Sequence, residues 1–323
     1  MLISVALCTY NGARFISEQL QSIIDQDLRP DEIVICDDGS TDDTIAIIKK
    51  FQEQYSKLIQ LHINEQNLRT NKNFEKALTL CQGDFIFFSD QDDVWKKNKT
   101  QAILAEFEQN PVLEGVFSNA DLITDTGEKT ARGSLWENVQ FMDEYIDGKV
   151  DLYYYITTLK NMVTGAALCI RSQAKHFVMP FPGHTAMFHD EWIGLCLGHR
   201  KTLGFTKQHL FSYRVHAAQQ IGVIKPASLA KHVSVIKNIL GIEIKEGFTD
   251  LLQVRKSYWR NYTKFSKLRN GGIVVSNFPL DVIIEKNKSA ILLTESRMKK
   301  SHVLLFWAHK IADKIAGKRQ LKS

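Results

Sequence analysis

The stretch Asp84-Phe85-Ile86-Phe87-Phe88-Ser89-Asp90-Gln91-Asp92-Asp93-Val94-Trp95 constrains the fold more than any other part of the chain. Its first half is a short, nearly continuous apolar run, the pattern of a strand buried on both faces. It stops at three carboxylates within four positions. Charges this close resist ionising together unless something positive lies beside them, and carboxylate oxygens suit a hard divalent cation such as Mg²⁺ or Mn²⁺. Strand alternation puts Asp90 and Asp92 on one side and Gln91 and Asp93 on the other, so Asp90 and Asp92 can face one site. The plainer alternative is a solvated acidic turn, against which the buried run leading into it counts.

The preceding chain alternates strand and helix patterns. Leu2 to Cys8 is an apolar β-rich run closed by Thr9-Tyr10-Asn11-Gly12. Arg14 to Gln26 repeats apolar residues at helical spacing. Glu32 to Cys36 is a second strand, closed by Asp37-Asp38-Gly39-Ser40, with a helix after it. Leu58 to Ile63 is a third strand, and Asn71-Lys72-Asn73 opens another helix. Such alternation predicts βαβ units and a mainly parallel sheet, whose ligands bind beyond the carboxyl ends of the strands. Three polar strand ends (Thr9-Tyr10-Asn11, Asp37-Asp38 and Asp90-Gln91-Asp92) should converge on one crevice. Further on, residues 131–160 are aromatic-rich and irregular, and His189-Asp190-Glu191-Trp192 opens a short apolar helix.

Charge divides the chain. From Lys225 onward lie 20 Lys and Arg against 7 Asp and Glu, whereas residues 1–224 hold 21 against 29. The expected domains are therefore 1–224 and a basic helical region, 225–323. A basic tail fits a membrane surface, and Leu304, Trp307, Ile311 and Ile315 form a stripe that suits an interfacial helix. The same stripe also suits packing on another helix or a second subunit. The five cysteines form no CxxC pair and read as buried hydrophobes of a reducing compartment. Neither a signal peptide nor a transmembrane run is expected, which fits a cytoplasmic enzyme, peripheral on the inner face of the membrane if the tail binds there.

Five motifs together resemble glycosyltransferase family 2. They are Thr9-Tyr10-Asn11-Gly12, Asp37-Asp38-Gly39-Ser40, Ser89-Asp90-Gln91-Asp92-Asp93-Val94-Trp95, His189-Asp190-Glu191-Trp192 and Tyr213-Arg214-Val215-His216. The resemblance covers about residues 1–222. It implies a GT-A fold, a Rossmann-like mainly parallel sheet flanked by helices, and an inverting, nucleotide-sugar-dependent transferase using Mn²⁺ or Mg²⁺. It puts Thr9, Tyr10, Asn11, Asp38, Arg69, Asp90 and Gln91 at the donor, with Asp90 on the ribose. It makes Asp92 the metal ligand, His216 a further metal or phosphate ligand, and Asp190 the catalytic base. The sequence has Leu68 where relatives have Gly. The style of the motifs looks most like enzymes moving rhamnose from dTDP-rhamnose to a lipid-linked oligosaccharide of O-antigen or capsule, with UDP-glucose or UDP-galactose as alternative donors. Nucleic acid is not an expected partner. A reading from another class is a phosphate-ester hydrolase, because Asp37-Asp38-Gly39-Ser40-Thr41 faintly resembles a nucleophile loop.

Overall fold

The βα alternation expected of residues 2–107 is what the chain builds. A computed structural model describes residues 1–146, 150–183, 187–216, 226–271, 278–319 and 321. Among them the strands are β1 (Ile3–Thr9), β2 (Glu32–Asp37), β3 (Ile59–Ile63), β4 (Phe85–Ser89), β5 (Val94–Trp95), β6 (Gly115–Ile123), β7 (Lys129–Ser134), β8 (Leu168–Arg171) and β9 (Leu203–Arg214). The helices are α1 (Ile16–Ile24), α2 (Thr44–Gln54), α3 (Arg69–Leu80), α4 (Lys99–Gln109), α5 (Leu135–Val139), α6 (Leu152–Tyr154), α7 (Lys175–Val178), α8 (His189–Arg200), α9 (Pro226–Ile239), α10 (Phe248–Asn270), α11 (Leu280–Ser301) and α12 (Val303–Ile315). No helix among the described residues is long and apolar enough to cross a membrane.

The chain forms two compact units, one of Met1–Asp143 with Met162–Ile224, the other of Glu144–Asn161 with Lys225–Ser323. The first is built on a sheet of order β3-β2-β1-β4-β8-β6-β9-β5, with β7 on β6. Every residue of β1 and β4 is buried, as continuous apolar runs in a helix-covered sheet require. β1 pairs in parallel with β2 and β4, and β2 with β3. The sheet reverses at β8, which runs antiparallel to both β4 and β6. Parallel pairing resumes between β6 and β9.

Register positions the site. Thr9 lies opposite Asp37, and Leu7 opposite Ser89, so the loops after β1, β2 and β4 leave the same edge side by side. Beyond the acidic loop, Val94 pairs with Ser212 and Trp95 with Phe211. That short antiparallel ladder returns the acidic loop to the end of β9, where Arg214 and His216 lie.

The second unit has its own core, in which Leu251, Met298 and Phe306 close against Phe248 and Leu252. Residues Tyr155–Leu159, which follow α6, form a wide π turn. Such a turn frees backbone carbonyls. Here Asn261 donates to Thr158 O at 2.6 Å and Asn287 to Thr157 O at 3.1 Å. Arg255, almost wholly buried, pairs with Glu295 at 2.7 Å and Asp313 at 2.8 Å, which ties α10 to α11 and α12.

Candidate active site

The loop after β1 is shaped by the loops beside it. Thr9 Oγ1 donates to Asp37 Oδ2 at 2.7 Å. Asn11 takes a left-handed φ of 49°, which Asn tolerates better than most residues. Its N–H donates to Ser40 Oγ (2.9 Å) and its Oδ1 accepts from Thr41 N (2.8 Å). The Gln91 amide clamps the Tyr10 backbone, accepting from Tyr10 N at 2.8 Å and donating to Tyr10 O at 3.0 Å. A Cβ on Gly12 would stand 2.2 Å from Gln91 Oε1, so only glycine permits the clamp. The Tyr10 ring itself stays exposed.

The two acidic residues after β2 do different things. Asp37 accepts from Thr9 Oγ1 and from Gly39 N, Ser40 N and Ser40 Oγ, so it builds the turn. Asp38 is buried and reaches across to the entry of α3. Its carboxylate accepts from Asn64 Nδ2 (2.8 Å), Leu68 N (2.7 Å) and Arg69 N (2.8 Å). The left-handed conformation falls not on Leu68 but on Arg69, at φ 65°, and the Arg69 side chain is exposed.

The acidic loop after β4 is gripped from below. Gln19 of α1 donates to Ser89 Oγ (2.6 Å) and Asp90 O (3.1 Å). Arg214, buried at the end of β9, donates from Nε to Asp92 O (2.8 Å), from Nη1 to Thr124 O and Asp125 O, and from Nη2 to Glu18 (2.6 Å). Its backbone N–H donates to Asp93 Oδ1 at 3.0 Å. Two residues further, His216 Nε2 lies 2.8 Å from Asp92 Oδ2, with the His216 ring packed on Phe15 at 4.9 Å.

The electrostatics of this edge are those of a buried anionic cluster. Burial, with Asp92 and Asp190 nearby, pushes the Asp90 carboxyl up to about 7. Burial, with Asp92 and Asp90 nearby, raises Asp93 well above the usual range. Burial pushes Asp190 up to about 7 against the Glu191 and Gly165 N–H groups, which favour its charge. Tyr213 is likewise raised by burial and by the field of Asp93, Asp90, Asp92 and Asp190, so it stays a neutral phenol there.

One cation offsets this from within. Lys99, the first residue of α4, is fully buried and donates to Ala166 O at 2.6 Å. Its ammonium lies over the rings of Trp95 (3.9 Å) and Phe211 (4.5 Å). Burial lowers it to about 7, opposed chiefly by Asp93. Trp95 is core, and so is Trp192, which donates to Val178 O at 2.7 Å.

Asp190 stands in the first turn of α8. The buried amide of Asn71, on α3, fixes that turn. Asn71 donates to Pro182 O and Met187 O, both at 2.8 Å, and accepts from His189 N at 2.9 Å. His189 is buried and stacked on Phe74, with ring centroids 4.0 Å apart. Burial lowers it to about 3, so the ring is neutral and packs as an apolar body. Sequence reasoning assigned no role to Asn71, Lys99, Tyr213 or Arg214. The available signal for Tyr213 and Arg214 was the motif Tyr213-Arg214-Val215-His216, in which the resemblance gives a role only to His216.

Among the described residues no group of three or more His, Cys, Asp or Glu forms a complete metal cage. Asp92 Oδ2 and His216 Nε2, 2.8 Å apart, would be two ligands of an ion whose shell is completed from elsewhere. Mg²⁺-like ions bind in that way, through one or two protein ligands with phosphate oxygens and water completing the shell, so the residues present fit such an ion.

The family model for glycosyl transferase family 2 matches residues 4–162. An uncharacterised glycosyltransferase of Nostoc sp. is 30% identical over 265 residues, covering 80% of this chain and 77% of the relative. The dTDP-rhamnosyl transferase RfbG of Shigella flexneri is 42% identical over 119 residues, 36% of this chain and 38% of its own length. Among solved structures, S. aureus TarS 1–349 in complex with UDP-GlcNAc has a TM-score of 0.55 at 17% identity, covering 93% of this chain and 81% of that one. Mannosyltransferase PcManGT from Pyrobaculum calidifontis, in complex with GDP-Man and Mn²⁺, has a TM-score of 0.51 at 16% identity, covering 98% and 88%. These two share the architecture of this chain, the GT-A fold. With the family model and the long match to the Nostoc protein, the chain belongs to glycosyltransferase family 2.

Proposed function

We propose that the chain transfers rhamnose from dTDP-L-rhamnose, with inversion at the sugar carbon, to a hydroxyl of a lipid-linked saccharide in bacterial surface polysaccharide synthesis (O-antigen or capsule). The observation that carries this reading is that Asp90 and Asp92, in the loop at the carboxyl edge of β4, share one buried anionic cluster with Asp190 in the first turn of α8. In this reading Asp92 stands for the leaving-group side and Asp190 for the acceptor side.

In this reading Asp190 takes the proton of the acceptor hydroxyl. A carboxyl pushed up to about 7 is better matched to that task near neutral pH than an ordinary one. The acceptor oxygen forms its bond to the sugar carbon as the bond from that carbon to the phosphate oxygen breaks, and the nucleoside diphosphate leaves. One displacement needs one base and no covalent nucleophile. Asp92 and His216 would hold a Mn²⁺ or Mg²⁺ ion. When bound, that ion supplies Lewis-acid stabilisation of the charge developing on the diphosphate. Asp90 serves the ribose. Thr9, Tyr10, Asn11, Asp38, Arg69 and Gln91 form the donor side. The contacts above give Asn11, Asp38 and Gln91 the task of holding its loops, while the exposed Tyr10 ring and Arg69 side chain remain to meet the nucleotide.

The choice of rhamnose is supported by the Shigella relative, which matches 36% of this chain at 42% identity. The second reading within the family is a UDP-glucose or UDP-galactose transferase. The hydrolase reading loses its nucleophile, because Asp37 already accepts four hydrogen bonds. Nucleoside diphosphate release across a panel of dTDP- and UDP-sugars, with and without EDTA, tests the proposal. Turnover of dTDP-rhamnose that EDTA abolishes is expected. Turnover of a UDP-hexose alone refutes the rhamnose assignment, and turnover indifferent to EDTA refutes the metal.

A further inference from the structure

The helix α12 has two opposed faces, and only one is used by its own unit. On the inner face Phe306 and Asp313 are buried, Phe306 in the core and Asp313 paired with Arg255 and Arg319. On the outer face Leu304 is 86% exposed, Ile315 82%, Ile311 57% and Trp307 49%. Their spacings of three and four place them on one stripe. Four large apolar side chains held outward by a helix whose other side is pinned by a buried ion pair are a surface feature, not an unfinished core.

Charge identifies what the stripe meets. From Lys299 to Arg319 the chain carries six Lys and Arg and one carboxylate, Asp313, which is already paired inside. Lys299 lies over the edge of the stripe, with its ammonium 5.5 Å from the Trp307 ring centroid, and Lys314 and Lys318 are exposed beside it. A second copy of the chain docked here would bring the lysines beside the stripe of one copy against those of the other. Anionic lipid instead neutralises the lysines, receives the aliphatic side chains and seats the indole at the headgroup level. We propose that the outward face of α12 docks the protein on an anionic membrane surface.

The test is flotation of the full-length protein with phosphatidylglycerol–phosphatidylcholine vesicles at low salt, with pure phosphatidylcholine vesicles beside it. Binding only to the anionic vesicles, weakening as salt rises, is expected. Leu304→Ser/Trp307→Ser/Ile315→Ser should cut it at least tenfold with an unchanged circular dichroism spectrum, because all three side chains are exposed. Lys314→Glu/Lys318→Glu should cut it by about 25-fold or more, each lysine at an anionic surface counting roughly fivefold. No binding at low salt, or equal binding by the apolar variant, overturns the proposal. So does a concentration-dependent dimer in sedimentation that Trp307→Ser dissolves, which assigns the face to a second copy.

Discussion

Replacing Asp190 with Asn should abolish turnover and stabilise the protein, and the second effect should depend on pH. Burial moves the Asp190 carboxyl from the ordinary 3.8 to about 7 in the folded chain. In the unfolded chain it ionises at the ordinary value. Between these two values the folded state holds a proton that the unfolded state has lost, so stability falls as pH rises through that window. At about 1.4 kcal/mol per tenfold change in proton affinity, the penalty is about 2 kcal/mol at pH 5 and about 4 kcal/mol at pH 8. Asn cannot ionise and escapes it, while still accepting from the Glu191 N–H that now meets Asp190 Oδ1 at 2.7 Å. Removing Asp190 also relieves Asp90, which acts in the same direction. The variant's advantage over the parent in urea unfolding should therefore grow by about 2 kcal/mol between pH 5 and pH 8, while kcat drops by about 10²–10⁴-fold. An advantage of equal size at both pH values, or none, refutes the assignment of a buried, proton-holding Asp190. Loss of donor affinity equal to the loss of kcat refutes its role as base.

His216→Ala removes the group 2.8 Å from Asp92 Oδ2; the Mn²⁺ concentration giving half-maximal rate should rise by about 10–100-fold, and an unchanged metal requirement would exclude His216 from the site. Gly12→Ala drives a Cβ into the Gln91 amide at 2.2 Å, so the KM for donor should rise more than kcat falls, and adding Gln91→Ala should recover part of the loss; no recovery would mean the clash is not with the clamp. Arg214→Lys keeps the charge but not the fork that reaches Asp92 O, Thr124 O, Asp125 O and Glu18. Stability should fall by about 2–4 kcal/mol in urea titration, and a fall under 0.5 kcal/mol (about the scatter of surface substitutions) would show the fork is not needed.

Much of this fold is legible in the residues because burial and period carry it. The continuous apolar runs of β1, β2 and β4 could only be strands covered on both faces, and their polar ends could only meet at the carboxyl edge of a parallel sheet. What is not legible is the direction of the sheet beyond β4. β8 enters antiparallel between β4 and β6, and nothing in Leu168–Arg171 distinguishes an antiparallel strand from a parallel one. Residues 131–160 read as aromatic and irregular, but the place of Glu144–Asn161 in the second unit goes with carbonyls answered by Asn261 and Asn287, far along the chain.

At the site the same limit operates one side chain at a time. A polar residue after a parallel strand looks alike in sequence whether it faces a ligand or a neighbouring loop. Gln91 and Asn11 both read as donor contacts, and both have their amides engaged with the adjacent loop. Lys99 carries no signal in its polar sequence neighbours; its buried partners Phe211 and Ala166 arrive from other elements. The carboxylates are the exception. Three acidic residues in four positions cannot satisfy one another, so their need for a positive partner is written locally, and only the identity of that partner requires the fold. The Arg214 guanidinium donates to the loop backbone at Asp92 O, its backbone N–H donates to Asp93, and the field of Asp93 and Asp90 favours the charge on Lys99. Asp92 meets His216 at 2.8 Å. Asp93 is thus answered from within the chain, while Asp92 turns its Oδ2 to His216, the pair that the proposed reading gives to the ion.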